Sequence, residues 1–340
     1  MSKIIKFSKS YNNIFKIKKD FYESNKAFLK DSLRINKIYK KQPSRKFCKN
    51  CGSRKIKPFI KSHKIPYNLC LNCGHLNGAY QDTNYFAQQL YNKHGGKNYS
   101  KNYLSDYNQR VNNIYIPKVD FLKKVIKKRI KVLDLGCGAG HFVKALEKKK
   151  ITAIGYDTSK ELCNLGNKKL KKNKILHIGL NEIYQISKKE NNINTLSLIH
   201  VLEHLVEPHK ILESFKLSKI QYLYLAVPLF SLSTFIENSF PNIFPRQLSG
   251  GHTHLYTEKS LKYLASKYNL KIIGEYWFGT DIPDLMRSLI NSGNILNKKI
   301  YLDELNKKFS KFIDEMQSVL DKNKVCSEVQ IVFENQNIKN

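Results

Sequence analysis

At 340 residues the chain has room for about two domains, and a 41% hydrophobic share excludes wholesale disorder. A formal net charge of +33 points first to a polyanionic partner. The cations, however, are nearly all Lys in a chain also rich in Asn and Ile, a mixture that AT-biased codons produce unselected, and Lys reads bases and phosphate forks less well than Arg.

In chain order, residues 1–46 are Lys-rich with scattered apolar positions (Ile14, Phe15, Phe21, Phe28, Leu29, Leu33, Ile38), which predicts a basic arm of one or two amphipathic helices. No apolar core or small-residue cleavage site follows the basic start, and no run of about 18 apolar residues exists, so neither a secretory signal nor a membrane span is expected and the protein reads as cytoplasmic. Residues 47–76 carry paired cysteines. Residues 77–128 are polar and Tyr-rich (Tyr80, Tyr85, Tyr91, Tyr99, Tyr103, Tyr107, Tyr115) and read as a linker of short helices. From 129 to 340, short apolar runs alternate with amphipathic segments, the mark of βαβ units and a mostly parallel sheet, so the fold class is α/β. The doubled cysteine pair is the one internal repeat.

Cys48-Lys-Asn-Cys51-Gly52 and Cys70-Leu-Asn-Cys73-Gly74 are two copies of C-x-x-C-G with 18 residues between them. Two residues between thiolates let one tight turn bring both sulfurs to a single ion, and the Gly lets backbone N–H groups turn toward them. Four thiolates close the tetrahedron of a structural zinc ion, so Cys48, Cys51, Cys70 and Cys73 are the expected ligands of a zinc ribbon that holds structure and does no chemistry. His63 and His75 lie close by but are not needed as ligands.

Ile130-Lys-Val-Leu-Asp-Leu135 is a β-rich strand running into Gly136-Cys137-Gly138-Ala139-Gly140, after which His141–Lys149 continues as a helix. Such a turn lets a ligand approach the backbone at the carboxyl end of a sheet, for dinucleotides as well as other cofactors. Asp134 precedes the turn, where it can orient the loop and face a ligand's ammonium group. The next strand, Ala153–Tyr156, ends in Asp157 about 20 residues downstream, where a carboxylate pairs with ribose hydroxyls. Helix 160–172 and strands 175–179 and 195–200 repeat the rhythm.

The run Val132–Gly140 resembles the first motif of the class I methyltransferases. His200-Val-Leu-Glu-His-Leu-Val-Glu-Pro208 resembles the segment after their fourth strand, Tyr224–Pro228 their fifth strand, and His254–Thr257 with helix 258–267 their next element. The resemblance runs in order from about residue 110 to 335. It implies a Rossmann-like sheet whose last strand enters antiparallel between the fifth and sixth, and S-adenosylmethionine as cofactor. Gly136, Gly138 and Asp157 are carried over as its contacts, with Gly140, Asp134 and His200 beside them. Asn181 takes the place near the adenine where the family more often has Asp. Residues 281–325 interrupt the family's order. Ile300, Leu302, Leu305, Phe309, Phe312, Ile313, Met316 and Leu320 recur there at helical spacing, so this insertion reads as a packing helix, with a lid or dimer contact as the sharper alternative.

Methyl transfer is an in-line displacement in which positioning supplies much of the rate, and the acceptor needs a base or desolvation. His204, and His252 or His254 in the Gly250–His254 loop, are the candidate bases, with His252 and His204 preferred. Zinc ribbon, Tyr-rich linker and L-E-H segment together resemble methyltransferases acting on a hydroxyl or amine of small molecules or sugars. The alternative is an rRNA or tRNA methyltransferase whose ribbon and basic arm clamp RNA phosphates, with steep salt dependence as its sign.

Overall fold

The computed structural model describes residues 3–11, 24–91, 106–190, 192–249, 251–296 and 298–338. Its strands are β1 (Ile4–Phe7), β2 (Ile56–Ser62), β3 (Ile65–Cys70), β4 (Leu76–Gly78), β5 (Lys131–Leu135), β6 (Thr152–Asp157), β7 (Ile175–His177), β8 (Thr195–Ile199), β9 (Tyr222–Pro228), β10 (His254–Leu255), β11 (Leu270–Phe278) and β12 (Glu328–Asn335). Eight of them form one sheet in the order β1-β11-β12-β9-β8-β5-β6-β7, and four form a smaller sheet in the order β10-β4-β3-β2.

Strands β5, β8 and β9 read as near-continuous apolar runs because helices cover both faces of the large sheet. Side chains alternate between two cores. Leu133, Leu135, Leu223 and Leu225 enter one, and Val132, Tyr222 and Tyr224 enter the other. β6, β5, β8 and β9 run parallel, and β12 enters antiparallel between β9 and β11. This is the Rossmann-like methyltransferase arrangement implied by the sequence. β6 and β8 flank β5 on opposite sides, so the crevice at their carboxyl ends is the switch point where α/β sheets bind ligands.

Two segments differ from the sequence pattern, the amino-terminal arm and the 281–325 insertion. Helices are expected over 1–46, and one forms at Asn25–Tyr39, but Ile4–Phe7 instead extends the sheet as β1, parallel to β11. The segment Ile4-Ile5-Lys6-Phe7, with two β-branched residues and an aromatic one, meets an otherwise unpaired sheet edge there, and Lys3 anchors it to Glu275 at 2.6 Å. The arm positions Ile14, Phe15 and Phe21 lie outside the described residues, as do Tyr99, Tyr103 and Gly250. The Tyr-rich stretch is helical over Asn84–Tyr91 and again through 107–125. The single packing helix expected within 281–325 is three: Asp281–Ile295, Lys299–Phe309 and Ile313–Lys322. Ile282, Met286 and Ile313 close a small core with Tyr11, backed by Leu305, Met316 and Leu320, while Ile300, Phe309 and Phe312 face outward. Among the described residues no helix is long and apolar enough to cross a membrane.

Candidate active site

The glycine loop leaves the carboxyl end of β5. Gly136, Gly138 and Gly140 all hold positive φ, at +70°, +54° and +71°. A Cβ on Gly136 would collide with Val201, and one on Gly140 with Ile175, so these two glycines admit neighbouring side chains. A Cβ on Gly138 would meet nothing within 4 Å. Gly138 is the point at which the backbone lies bare to a ligand. It opens onto a cavity of about 760 Å³ lined by Gly136, Gly138, Asp157, Asn181, His200, His204 and His252, with Tyr115 and His141 on the wall. That volume suits a cofactor-sized ligand.

Asp157 closes β6 beside the loop. Its Oδ2 accepts the Gly138 N–H at 2.7 Å and its Oδ1 the Ser159 N–H at 2.9 Å. Burial pushes its carboxyl up, and the backbone donors of Ser159 and Gly138 oppose the shift. Asp134 and Gly140, read from the sequence as cofactor contacts, do not line the cavity. Asp134 is buried behind the loop and accepts the Ser197 hydroxyl at 2.6 Å. Burial pushes its pKa up to about 7 against that hydrogen bond. It therefore supports the loop from below, and Gly140 serves packing and the start of helix His141–Lys148.

His200 follows β8 in a left-handed backbone conformation, φ +54°. Its Nδ1 lies 3.3 Å from Glu203 and its Nε2 3.2 Å from Glu328, which also pairs with Lys118 at 3.1 Å. Burial disfavours the imidazolium, but the Glu328 and Glu203 carboxylates prevail and raise its pKa to about 9. The short turn Leu202–His204 then brings His204 to the cavity, where its ring centroid lies 5.0 Å from that of His252. Nδ1 of His204 donates to the Gly251 carbonyl at 3.2 Å, and Nδ1 of His252 to the Gln247 carbonyl at 2.9 Å. A carbonyl can only accept, so the basic nitrogen of each ring is Nε2. Burial lowers both pKa values, that of His252 to about 3, so both rings are neutral at pH 7. The third candidate base, His254, is fully buried and hydrogen-bonded to His75 at 2.9 Å, away from the cavity lining.

Sequence reasoning missed Tyr115, which lines the cavity and stacks on His141 at 5.4 Å, and Tyr107, which stacks on the same ring at 4.3 Å. It also missed Glu328, which lies 128 residues beyond His200 in the chain and carries no motif.

The four cysteines converge as their spacing predicts. All four sulfurs lie within 4.8 Å of one another, and Asn50, Asn72 and Asn77 each point an amide nitrogen at a sulfur, at 3.5–3.6 Å. Gly52 and Gly74 hold φ of +71° and +69° and donate to the Cys48 and Cys70 carbonyls. This small sheet is welded to the large domain. β10 pairs with β4 through His254↔Asn77 and Leu255↔Leu76, and Gly78 donates to the Thr253 carbonyl at 2.7 Å. Phe230, just past β9, donates to the Tyr256 carbonyl at 2.8 Å. The segment carrying His252 is therefore held between the cysteine module and the main sheet.

Residues 107–275 match the model of a family described as a methyltransferase domain, so the match begins within the helical stretch ahead of 129. No curated protein matches the chain. Among solved structures, the chain is similar to an S-adenosylmethionine-dependent methyltransferase from Archaeoglobus fulgidus, at 19% identity, 64% of this chain, 92% of that one and a TM-score of 0.41. It is similar to magnesium protoporphyrin IX methyltransferase from Synechocystis PCC 6803, at 11% identity, 75% and 100% coverage and a TM-score of 0.48. It is also similar to the O-methyltransferase of a trans-AT polyketide synthase of Brevibacillus brevis, at 16% identity, 66% and 73% coverage and a TM-score of 0.40.

Proposed function

Starting from a chain that is an S-adenosylmethionine-dependent methyltransferase, we propose that it methylates a hydroxyl or amine of a small molecule or sugar precursor. The observation that carries this reading is one continuous cavity with a bare glycine turn and a carboxylate at one part of its wall and two neutral imidazoles at another. The residues fit the cofactor. Gly138 leaves space at the backbone, Asp157 ends the neighbouring strand where ribose hydroxyls are gripped, and Asn181 faces the same cavity beyond β7. When bound, S-adenosylmethionine supplies an electrophilic methyl on a sulfonium.

The chain's own residues supply placement and a proton acceptor. The cavity walls orient the acceptor, and Nε2 of His252 or His204 takes its proton. The cysteine module, with a zinc ion held by Cys48, Cys51, Cys70 and Cys73, fixes the His252 segment through β10. Tetrahedral thiolate ligation with amide donors to the sulfurs suits a structural ion.

One cluster of cations lies away from the cavity. A basic depression lined by Lys123, Lys127, Lys128, Arg129, Lys149 and Lys150 lies at the amino ends of β5 and β6, the opposite edge of the sheet from the cavity. An anion held there is remote from the reacting centre. Incubation with methyl-labelled S-adenosylmethionine and separated metabolite and RNA pools tests the reading. Label is expected in small hydroxyl- or amine-bearing compounds, and label confined to RNA overturns it. Once an acceptor is found, His252→Ala or His204→Ala should slow single-turnover transfer about tenfold or more.

A further inference from the structure

Glu203 is 1% exposed, yet only one of its carboxylate oxygens is engaged. Oε1 lies 3.3 Å from His200 Nδ1, whereas Oε2 is buried with no hydrogen-bond partner. A buried carboxylate oxygen without a donor is costly and calls for a cation or a donor from outside the chain. The candidates on hand are beside it. One ligand atom each from Glu203, His204 and His252 lie within 4.8 Å of one another. Three donors sharing one ion at metal–ligand distances of about 2.2 Å stand about 3.1–3.8 Å apart, so side-chain movements of about an ångström at most seat all three.

The surroundings are those of a ligand set. Each imidazole is fixed by donation from Nδ1 to a backbone carbonyl, Gly251 for His204 and Gln247 for His252, which makes Nε2 the lone-pair nitrogen, that of His204 lying 4.0 Å from Glu203 Oε1, and sets the tautomer that metal ligation needs. The His252 segment is anchored on one side by β10 pairing with the cysteine module and on the other by the end of β9. His200 brings positive charge close by, but Glu328 stands 3.2 Å from its Nε2 and offsets it, and Lys118 faces Glu328 from the far side. His204 and His252 both line the cavity, so an ion there would be reached by the acceptor.

We propose that Glu203, His204 and His252 hold a divalent first-row metal ion in the wall of the cavity, with coordination positions left open for an acceptor hydroxyl. Two imidazoles and one carboxylate suit manganese, iron, cobalt or zinc better than magnesium or calcium. This rests on the methyltransferase reading and narrows its acceptor class to hydroxyls. The ion draws the hydroxyl oxygen in and acidifies it, so its proton passes to water. An oxygen lone pair then forms the C–O bond to the methyl carbon while the C–S bond breaks and its electrons remain on sulfur. In this arrangement the two imidazoles ligate the ion, and the proton they would take in its absence goes to solvent.

The test uses the full chain with its cysteine site loaded with zinc, titrated with Mn2+ and followed by the loss of the free-ion electron paramagnetic resonance signal. S-adenosylhomocysteine binding is measured in parallel by calorimetry. One Mn2+ per chain is expected, with affinity reduced at least about tenfold in both Glu203→Gln and His252→Ala, while both variants keep S-adenosylhomocysteine affinity within about threefold. A chain that binds S-adenosylhomocysteine but no Mn2+ overturns the proposal, as does Mn2+ binding unchanged in both variants. Mn2+ binding that depends on Glu203 and His252 in a chain that takes up no S-adenosylhomocysteine would uphold the ion site and overturn the methyltransferase reading instead.

Discussion

Replacing Asp157 tests the cofactor grip most directly. Its two oxygens already accept the N–H groups of Gly138 and Ser159, at 2.7 and 2.9 Å, which aims the remaining lone pairs into the cavity. Two ribose hydroxyls donating to a carboxylate contribute about 1.5 kcal/mol each at the low end for charge-assisted bonds, or about 3 kcal/mol together. Asp157→Ala should therefore weaken S-adenosylhomocysteine by somewhat more than about a hundredfold. The same change leaves two backbone donors without acceptors, so it will also lower stability. Asp157→Asn separates the effects, since it keeps the shape and one acceptor oxygen but loses the charge, and about a tenfold loss is expected. Isothermal calorimetry with circular dichroism as a folding check reads both. The sign of the pH dependence is fixed too. Burial holds the Asp157 carboxyl above the usual range, so affinity should weaken on acidification at a higher pH than for an exposed aspartate. If both variants bind S-adenosylhomocysteine within about threefold of the wild type, the ribose is held elsewhere and the reasoning fails.

Asp134→Asn should stabilise the protein at neutral pH. The Asp134 pKa is raised from 3.8 to about 7, so its contribution is present below about pH 4 and lost as pH rises through 7. At roughly 1.4 kcal/mol per unit the variant gains up to about 4 kcal/mol over that window, readable as a urea-midpoint difference that grows from pH 4.5 to 7.5. A constant difference would contradict burial as the cause. Gly140→Ala and Gly138→Ala should part company. Both strain a positive φ by about 1 kcal/mol, but only the Gly140 change collides with Ile175 and lowers the melting temperature strongly, while the Gly138 change acts chiefly on S-adenosylhomocysteine affinity. Cys70→Ser, or zinc removal by chelation, should release β10 and with it the His252 segment. Methyl transfer then falls by more than about tenfold while S-adenosylhomocysteine binding at the glycine loop changes little, and an equal loss of both would refute the division of labour.

The cysteine module thus stands in the structure as a brace. His75 and His254, 179 residues apart, share a buried hydrogen bond at 2.9 Å, and His209 meets the Lys49 carbonyl at 3.2 Å. Asn50 reaches both the Cys73 sulfur and the Ser260 carbonyl, joining the cysteine turn to helix Glu258–Lys267. Loosening the module would therefore reach the cavity through the 251–254 turn, while the glycine loop leaves a different strand, β5.

What the chain declares locally is legible from residues alone. The strand, glycine turn and helix of 131–148, the acidic end of β6 and the doubled C-x-x-C-G are each short-range, because a turn or a strand end is dictated by its own few residues. Their family order gave the antiparallel entry of β12 as well. The reading of residues 4–7 as helix went astray because a sheet edge, supplied by β11, outweighs helical spacing in so short a segment. Asp134 showed its place in the motif but not its burial, which depends on Ser197 from β8. His252 and His204 stood out as glycine-flanked or motif histidines. Their meeting with a half-satisfied Glu203, and the pairing of His200 with Glu328, arise only when β8, the 251–254 turn and β12 close on one another. Contacts between elements tens to hundreds of residues apart are set by packing, and packing leaves no periodic trace in the sequence.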